Sequence, residues 1–406
     1  MRHEAAGMKV GILAPVLAET LGGGHTFEQE IFEQLLESAK NSKHEFVVFE
    51  TSSRGVQSGN LKRVRLKPPA VRKAQSKLSK VGRTLRFAPR KIVHLFENKW
   101  VEEILAREGI EFFLNIGSGT ATLEVPFLTI VWDLQHRMNP FFPEVSADGT
   151  WQSREEYFTL ILKRATYVIV GTQAGKREVQ MFYGVPDERI RILPHPTPRF
   201  ALEESPSDDV DLSKYKLPRD YVFYPAQFWS HKNHVGLLHA VHHLKQQDNL
   251  RLPVVFTGSD QGNESHVRQV VRTLQLEDQV HFLGHVSRQT LNALYQNAFV
   301  LCYASFSGPE NFPPLEAFAL GCPVVAADIP GASEQLGDTA LLIDPANELE
   351  IAGALKSLFQ DKGKRESLIA RGKERARRFT GGDFAKGLLD LLDEFQPIRR
   401  SWPPPA

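Results

Sequence analysis

Residues 298–345, AFVLCYASFSGPENFPPLEAFALGCPVVAADIPGASEQLGDTALLIDP, decide how the chain is built. An apolar run at 299–304 is followed by a loop of Ser, Gly and Pro at 305–314, and then by LEAFAL, whose apolar spacing is helical. A second apolar run, 323–327, begins two residues after Gly321 ends that helix. Strand, loop, helix and tight return to a strand predict a parallel α/β sheet. Glu316 then falls in the first turn of a helix that starts at the carboxyl edge of the sheet, where open α/β sheets bind ligands. Backbone amides and the helix dipole at such a start favour an anionic group such as phosphate.

The same alternation extends upstream. It begins with the strand YVFYP at 221–225 and the loop AQFWSHKNH, and two helix–strand repeats and a further helix lead from there to residue 297. Lys232 stands in that first loop, directly before a helix, where an ammonium together with the backbone dipoles can neutralise a diphosphate. Residues 349–395 read as three further helices.

The first half repeats the plan. MKVGILAP at 8–15 reads as a buried strand, followed by Gly22, Gly23 and Gly24 and the amphipathic stretch FEQEIFEQLLESA. Glycines without Cβ let a ligand approach the backbone at a helix start, although a flexible turn has the same signature. Further strands are expected at 46–50, 111–116 and 127–132. The last ends in Asp133-Leu-Gln-His136-Arg137, a cluster of titratable groups where an α/β active site would lie.

A chain of 406 residues fits two domains of roughly 150–200 residues each. We place them at 8–196 and 220–380, joined by a Pro-, Ser- and Asp-rich linker at 197–219, with a helix and tail at 381–406. Forty-nine basic and forty-eight acidic residues nearly cancel, so total charge names no partner. The distribution does: residues 62–99 hold thirteen Lys or Arg and one acid, Glu97. Within them Leu78, Val81 and Leu85 repeat at helical spacing, which predicts a basic amphipathic helix able to meet an anionic membrane surface; a solvated face on an inserted loop is the plainer alternative. No aromatic interleaving accompanies the basic run, so nucleic acid is not expected. Cys302 and Cys322 both fall in or beside apolar strands and read as core residues, in keeping with a reducing cytoplasm. No signal-peptide pattern opens the sequence and no window approaches the about 18 apolar residues of a membrane span.

Two α/β halves, a glycine loop after the first strand, Lys232 after the first strand of the second half, PPLEAFALGCPVVAAD and the later GDTALLIDP together resemble the retaining glycosyltransferases of family 4, also called group 1. The resemblance implies the GT-B fold, two Rossmann-like domains facing a cleft. It also implies a nucleotide-sugar donor held mainly by the second domain, a saccharide or lipid-linked acceptor on the first, and transfer without a bound metal or other cofactor. Carried over by position, Glu316 would bind the nucleotide ribose and Lys232 the diphosphate. Glu310, Asn311 and Phe312 would wrap the donor sugar through their amides, Gly23 and Gly24 would lie near the phosphates, and Gly284 and Val286 beside the base. Asp133 and His136 would orient the acceptor hydroxyl.

Three positions depart from the family pattern. Gly308 replaces the first glutamate of a Glu-x7-Glu motif, Gln227 replaces an arginine five residues before Lys232, and Trp132 replaces a histidine before Asp133. GPENFPPLEAF, QFWSHKNH and WDLQHR nevertheless resemble a subgroup of bacterial surface-polysaccharide transferases, which implies a working enzyme with a modified site; the basic run at 62–99 points to a lipid-linked acceptor on the inner membrane face. A scaffold protein that kept the fold without the chemistry, and a sugar-nucleotide epimerase of the same fold, are the alternatives.

Overall fold

Short β-branched and aromatic runs form strands buried on both faces, the pattern of a parallel sheet covered by helices. The computed structural model describes residues 7–15, 23–51, 61–67, 98–117, 119–203, 210–218 and 220–403. In the first half the strands are β1 (Lys9–Leu13), β2 (Glu45–Glu50), β3 (Lys62–Arg65), β4 (Phe112–Asn115), β5 (Phe127–Ile130), β6 (Tyr167–Val170) and β7 (Ile190–Ile192). They pair in the order β3-β2-β1-β4-β5-β6-β7, all parallel, with Val10 opposite Phe46 on one side and Phe112 on the other.

The second half holds β8 (Val222–Pro225), β9 (Val254–Thr257), β10 (Val280–Phe282), β11 (Val300–Tyr303), β12 (Val324–Ala327) and β13 (Leu341–Ile343), in the order β10-β9-β8-β11-β12-β13. The strand order reverses between β1 and β4 and between β8 and β11, so each sheet opens a crevice at its carboxyl edge there. The glycine loop follows β1, the Lys232 loop follows β8, and the 304–312 loop follows β11. Two parallel-sheet Rossmann-like domains face one another, as the resemblance implies.

The last helix, Gly381–Arg399, returns to the first domain. Phe384 meets Phe27 edge-on at 5.3 Å, Phe395 packs on Phe112 at 5.1 Å, and His44, whose Nδ1 accepts from the Met8 amide, donates its Nε2–H to Asp393 Oδ1 at 2.9 Å. The chain thus crosses between domains twice, and the crossings run side by side through a parallel bridge between Thr197 and Thr380. One apolar cluster is continuous from β1 and helix Gly23–Ala39 into the second sheet.

Three readings of the sequence need correction. The basic run begins not as loop or helix but as the edge strand β3, and part of its charge is paired: Lys62 with Glu108 and Arg63 with Glu50. The helix bearing Glu316 starts earlier, at Phe312, because Pro313 and Pro314 fit a first helical turn, so Glu316 lies in the second turn. The segment read as linker carries regular structure among its described residues, a short helix Arg199–Leu202 and a 3-10 turn Ser213–Tyr215. The basic amphipathic helix predicted around 73–85, and Gly22, lie outside the described residues. Among the described residues no helix is long and apolar enough to cross a membrane.

Candidate active site

The two carboxyl edges enclose a cleft of about 540 Å³, lined from the first domain by Gly23, Gly24, His25, Glu28, Asn115 and Trp132 and from the second by Gln227. Glycine at 24 follows from Trp132: a Cβ there would lie 2.8 Å from the indole ring. At Gly23 a Cβ would meet Phe312 of the opposite domain at 3.4 Å. The glycine loop is therefore the surface on which Trp132 and the 308–312 loop rest.

Lys232 ends a 3-10 turn, Ser230–Lys232, that follows β8. Its carbonyl accepts from the Tyr224 hydroxyl, and its Nζ lies 5.2 Å from the Tyr303 ring centroid. Among the described residues no carboxylate lies at ion-pair distance from it, so a half-buried ammonium is left for an anion. Gln227 holds no charge for that site; it donates to Ser259 Oγ at 3.1 Å and accepts from Trp229 Nε1 at 3.1 Å. The sequence reading missed Asn233. In the left-handed region at φ 53°, it caps helix His234–Gln247 and donates to the carbonyls of Ala304 and Pro345 at 3.1 and 2.7 Å, which fixes the three loops of this edge together.

Glu316 is buried and accepts the Tyr295 hydroxyl at 2.7 Å. Burial pushes its carboxyl up to about 7, although Tyr295 and the charge of Arg288 pull the other way. Gly308 has φ 116°, a conformation that favours glycine, and its carbonyl accepts from Asn311 Nδ2 at 2.8 Å. The amide of Asn311 is engaged: it donates to Gln335 Oε1 at 3.0 Å, while Gln335 Nε2 returns a bond to the Asn311 carbonyl. Pro313 and Pro314 have no N–H, so this helix start offers fewer donors to an anion than the sequence reading supposed. Gly284, also left-handed at φ 65°, accepts from the Gly258 amide at 2.9 Å, and Val286 is half-buried against the core.

On the first domain Asp133 is held by Arg154 Nη2 at 2.6 Å and by the Gln135 amide at 2.9 Å. Burial opposes its ionisation, but the Arg154 guanidinium and the Gln135 amide outweigh it, and the carboxyl stays below its ordinary range. His136 does not face the cleft. Its side chain is fully buried, stacked on Phe158 at 5.5 Å, with Nε2 at 3.1 Å from the Tyr183 hydroxyl and Nδ1 accepting from Arg154 Nε at 3.3 Å. Burial and the Arg154 guanidinium lower its pKa to about 4, so it holds Arg154 as a neutral ring and meets no acceptor directly.

Three carboxylates cross between the domains. Glu144 accepts from the His231 amide at 3.0 Å and pairs with its ring Nδ1. Glu334 accepts from the amides of Gln173 and Ala174 at 2.6 and 3.0 Å, at the start of helix Gln173–Tyr183, where the dipole favours a negative charge. Glu310 accepts from the His195 amide at 2.7 Å; burial, and to a lesser degree the Glu334 charge, hold its carboxyl up at about 8 against that bond. None of these partners is near its counterpart in sequence, and only the fold reveals them. Among the described residues no three His, Cys, Asp or Glu side chains gather as a metal site.

Comparison with known proteins agrees with this geometry. Residues 211–375 match the family model described as "Glycosyl transferases group 1". The O-antigen chain mannosyltransferase B of Escherichia coli is 28% identical over 221 residues, covering 54% of this chain and 58% of that protein. The O-antigen chain mannosyltransferase RfbU of Salmonella typhimurium is 29% identical over 210 residues, covering 50% and 55%. The chain thus matches a little over half the length of these relatives. Among solved structures, the sucrose-phosphate synthase of Thermosynechococcus elongatus superposes with a TM-score of 0.72 at 18% identity, over 96% of this chain and 100% of that one. HepE of Anabaena, in complex with UDP and glucose, gives 0.68 at 16% identity over 95% and 100%. At these identities the likeness shows the fold, which is GT-B.

Proposed function

Taking as premise that residues 211–375 form a group 1 glycosyl transferase domain, we propose that the protein moves a hexosyl group from a nucleotide-sugar donor to a saccharide or lipid-linked acceptor, with retention of configuration, in cell-surface polysaccharide synthesis. The observation that carries this reading is the Lys232 ammonium, free of any described carboxylate, in the loop that follows β8 at the carboxyl edge of the second sheet, where its Nζ faces the Tyr303 ring of the neighbouring strand β11. The O-antigen mannosyltransferases among the relatives make a mannosyl donor the first to test.

In the proposed reaction the bond from the sugar's anomeric carbon to the phosphate oxygen breaks, and its electrons stay on the departing nucleoside diphosphate. Lys232 stabilises that charge without a metal ion, in the way that fixed charges stabilise developing anions. The acceptor oxygen bonds to the anomeric carbon on the same face, and its proton passes to the leaving phosphate. Asp133, fixed by Arg154, orients the acceptor hydroxyl. We place this reaction at the cytoplasmic face of a membrane, with residues 62–99 as the anionic-lipid contact.

The test is a mass-spectrometric screen of nucleotide sugars with lipid-linked saccharides, with and without Lys232→Ala. Transfer that Lys232→Ala abolishes supports the reading. Conversion of donor with no acceptor present identifies an epimerase, and nucleotide binding with no turnover identifies a scaffold.

A further inference from the structure

The 308–312 loop belongs to the second domain, yet two of its side chains, Glu310 and Phe312, are seated against the first. Glu310 is 4% exposed. Its Oε1 takes the His195 amide, and its Oε2 occupies the space beside Gly171, where a Cβ would overlap it at 1.2 Å. Gly171 directly follows β6 and its φ lies outside the left-handed region, so backbone conformation does not require glycine there. The space taken by Glu310 does. Two residues on, Phe312 stacks on His195 with centroids 5.3 Å apart at 12° and approaches Phe27 at 6.2 Å.

We propose that Glu310 is a positioning residue, a bolt that enters the Gly171 notch and sets the shape of the 308–312 loop from the opposite domain, so that the loop is formed for the donor only when the cleft is closed. The loop is held at its other end within its own domain, through Asn311 and Gln335. Its remaining freedom is therefore the approach of the first domain. Glu310 takes no part in the bonds made or broken. The kinetic part of this inference rests on the proposed transfer reaction; the structural part does not.

Small-angle scattering of the full chain, alone and with UDP-glucose or GDP-mannose, tests it on Gly171→Ala, Glu310→Ala and the double variant. A methyl at 171 blocks the bolt, so Gly171→Ala is expected to enlarge the radius of gyration. It should also raise the donor KM about tenfold and favour hydrolysis over transfer, since an open cleft admits water. Removing the carboxylate removes the obstruction, so the double variant should equal Glu310→Ala in radius and in KM. Additive effects, or a Gly171→Ala protein indistinguishable from wild type, overturn the proposal. Should Gly171→Ala not fold, Glu310→Gln against Glu310→Ala decides. The amide keeps the acceptor oxygen and the fit, so only Glu310→Ala should be enlarged, and equal radii overturn the proposal. A wild type that consumes neither donor counts against the transfer reading and leaves the radii to decide the role of Glu310.

Discussion

Tyr295 donates its hydroxyl hydrogen to Glu316 Oε2 at 2.7 Å, and both side chains are shut away from water on neighbouring helices. A carboxyl so placed depends on one neutral donor. Tyr295→Phe is expected to cost about 1–3 kcal/mol of stability in a urea melt, the usual penalty for a buried acceptor left without its partner. It should also move the ionisation of Glu316 upward, because the lost hydrogen bond favoured the ionised form. The carboxylate accepts a ribose hydroxyl better than the neutral acid does, so on acidification the affinity for the nucleotide should fall at a higher pH than in wild type; isothermal titration from pH 6 to 8.5 that shows no displacement of the profile would count against a bound role for Glu316.

Lys232→Ala should separate activity from stability. The ammonium makes one ring contact and no ion pair among the described residues, so its removal is expected to cost no more than about 1 kcal/mol. Transfer should fall by about 10²–10³, the loss typical of one charge-stabilising donor. Urea melts and initial rates measured on the same preparation check both, and a variant that keeps its rate removes Lys232 from the diphosphate site.

His136→Ala should show the opposite division. The ring is fully buried between Phe158, Tyr183 and Arg154, and its loss is expected to cost roughly 1–3 kcal/mol of stability. Because Arg154 loses a partner while keeping Asp133, kcat should fall more than the acceptor KM rises. A variant of unchanged stability with a raised acceptor KM alone would return His136 to direct contact with the acceptor.

Glu310 makes stability depend on pH in a defined direction. Its carboxyl, ordinarily at 4.5, is held up at about 8, so the native protein keeps a proton that the unfolded chain gives up. That contribution is complete below pH 4.5 and is lost as pH rises through 8. His136 and His195, lowered by burial from 6.5 to about 4, act in the other sense: their contribution is present above pH 6.5 and lost as pH falls through 4. Between pH 6.5 and 8 the histidines are silent. Glu310→Gln has no proton to lose, so its urea midpoint should fall less than that of wild type across this window; parallel curves would show that Glu310 does not titrate there.

What the sequence made legible was periodic and local. The strand, loop, helix and strand of 298–345 all form, since each carries its own apolar period and glycine or proline boundary. The helix start shifted by a few residues because LEAFAL was read from its apolar spacing and the two prolines before it were read as loop. Strand β3 escaped notice because KRVR is an edge strand whose alternation is masked by charge, and edge strands tolerate lysine and arginine. The burial of His136 could not be read from WDLQHR: the residues that cover it come from 158 and 183. Glu310 and His195 are 115 positions apart, and no pattern in either loop announces the other.

The paired crossings at Thr197 and Thr380 bear on how such proteins exchange parts. Helix Gly381–Arg399 covers the apolar face of helix Gly23–Ala39 through Phe384 and Phe27, so the first domain is assembled from segments that lie on both sides of the second in sequence. A chimera that grafts a foreign second domain onto this protein must be spliced twice, near 197 and near 380. A single splice would strip Phe27 of its cover and leave a hybrid prone to aggregate.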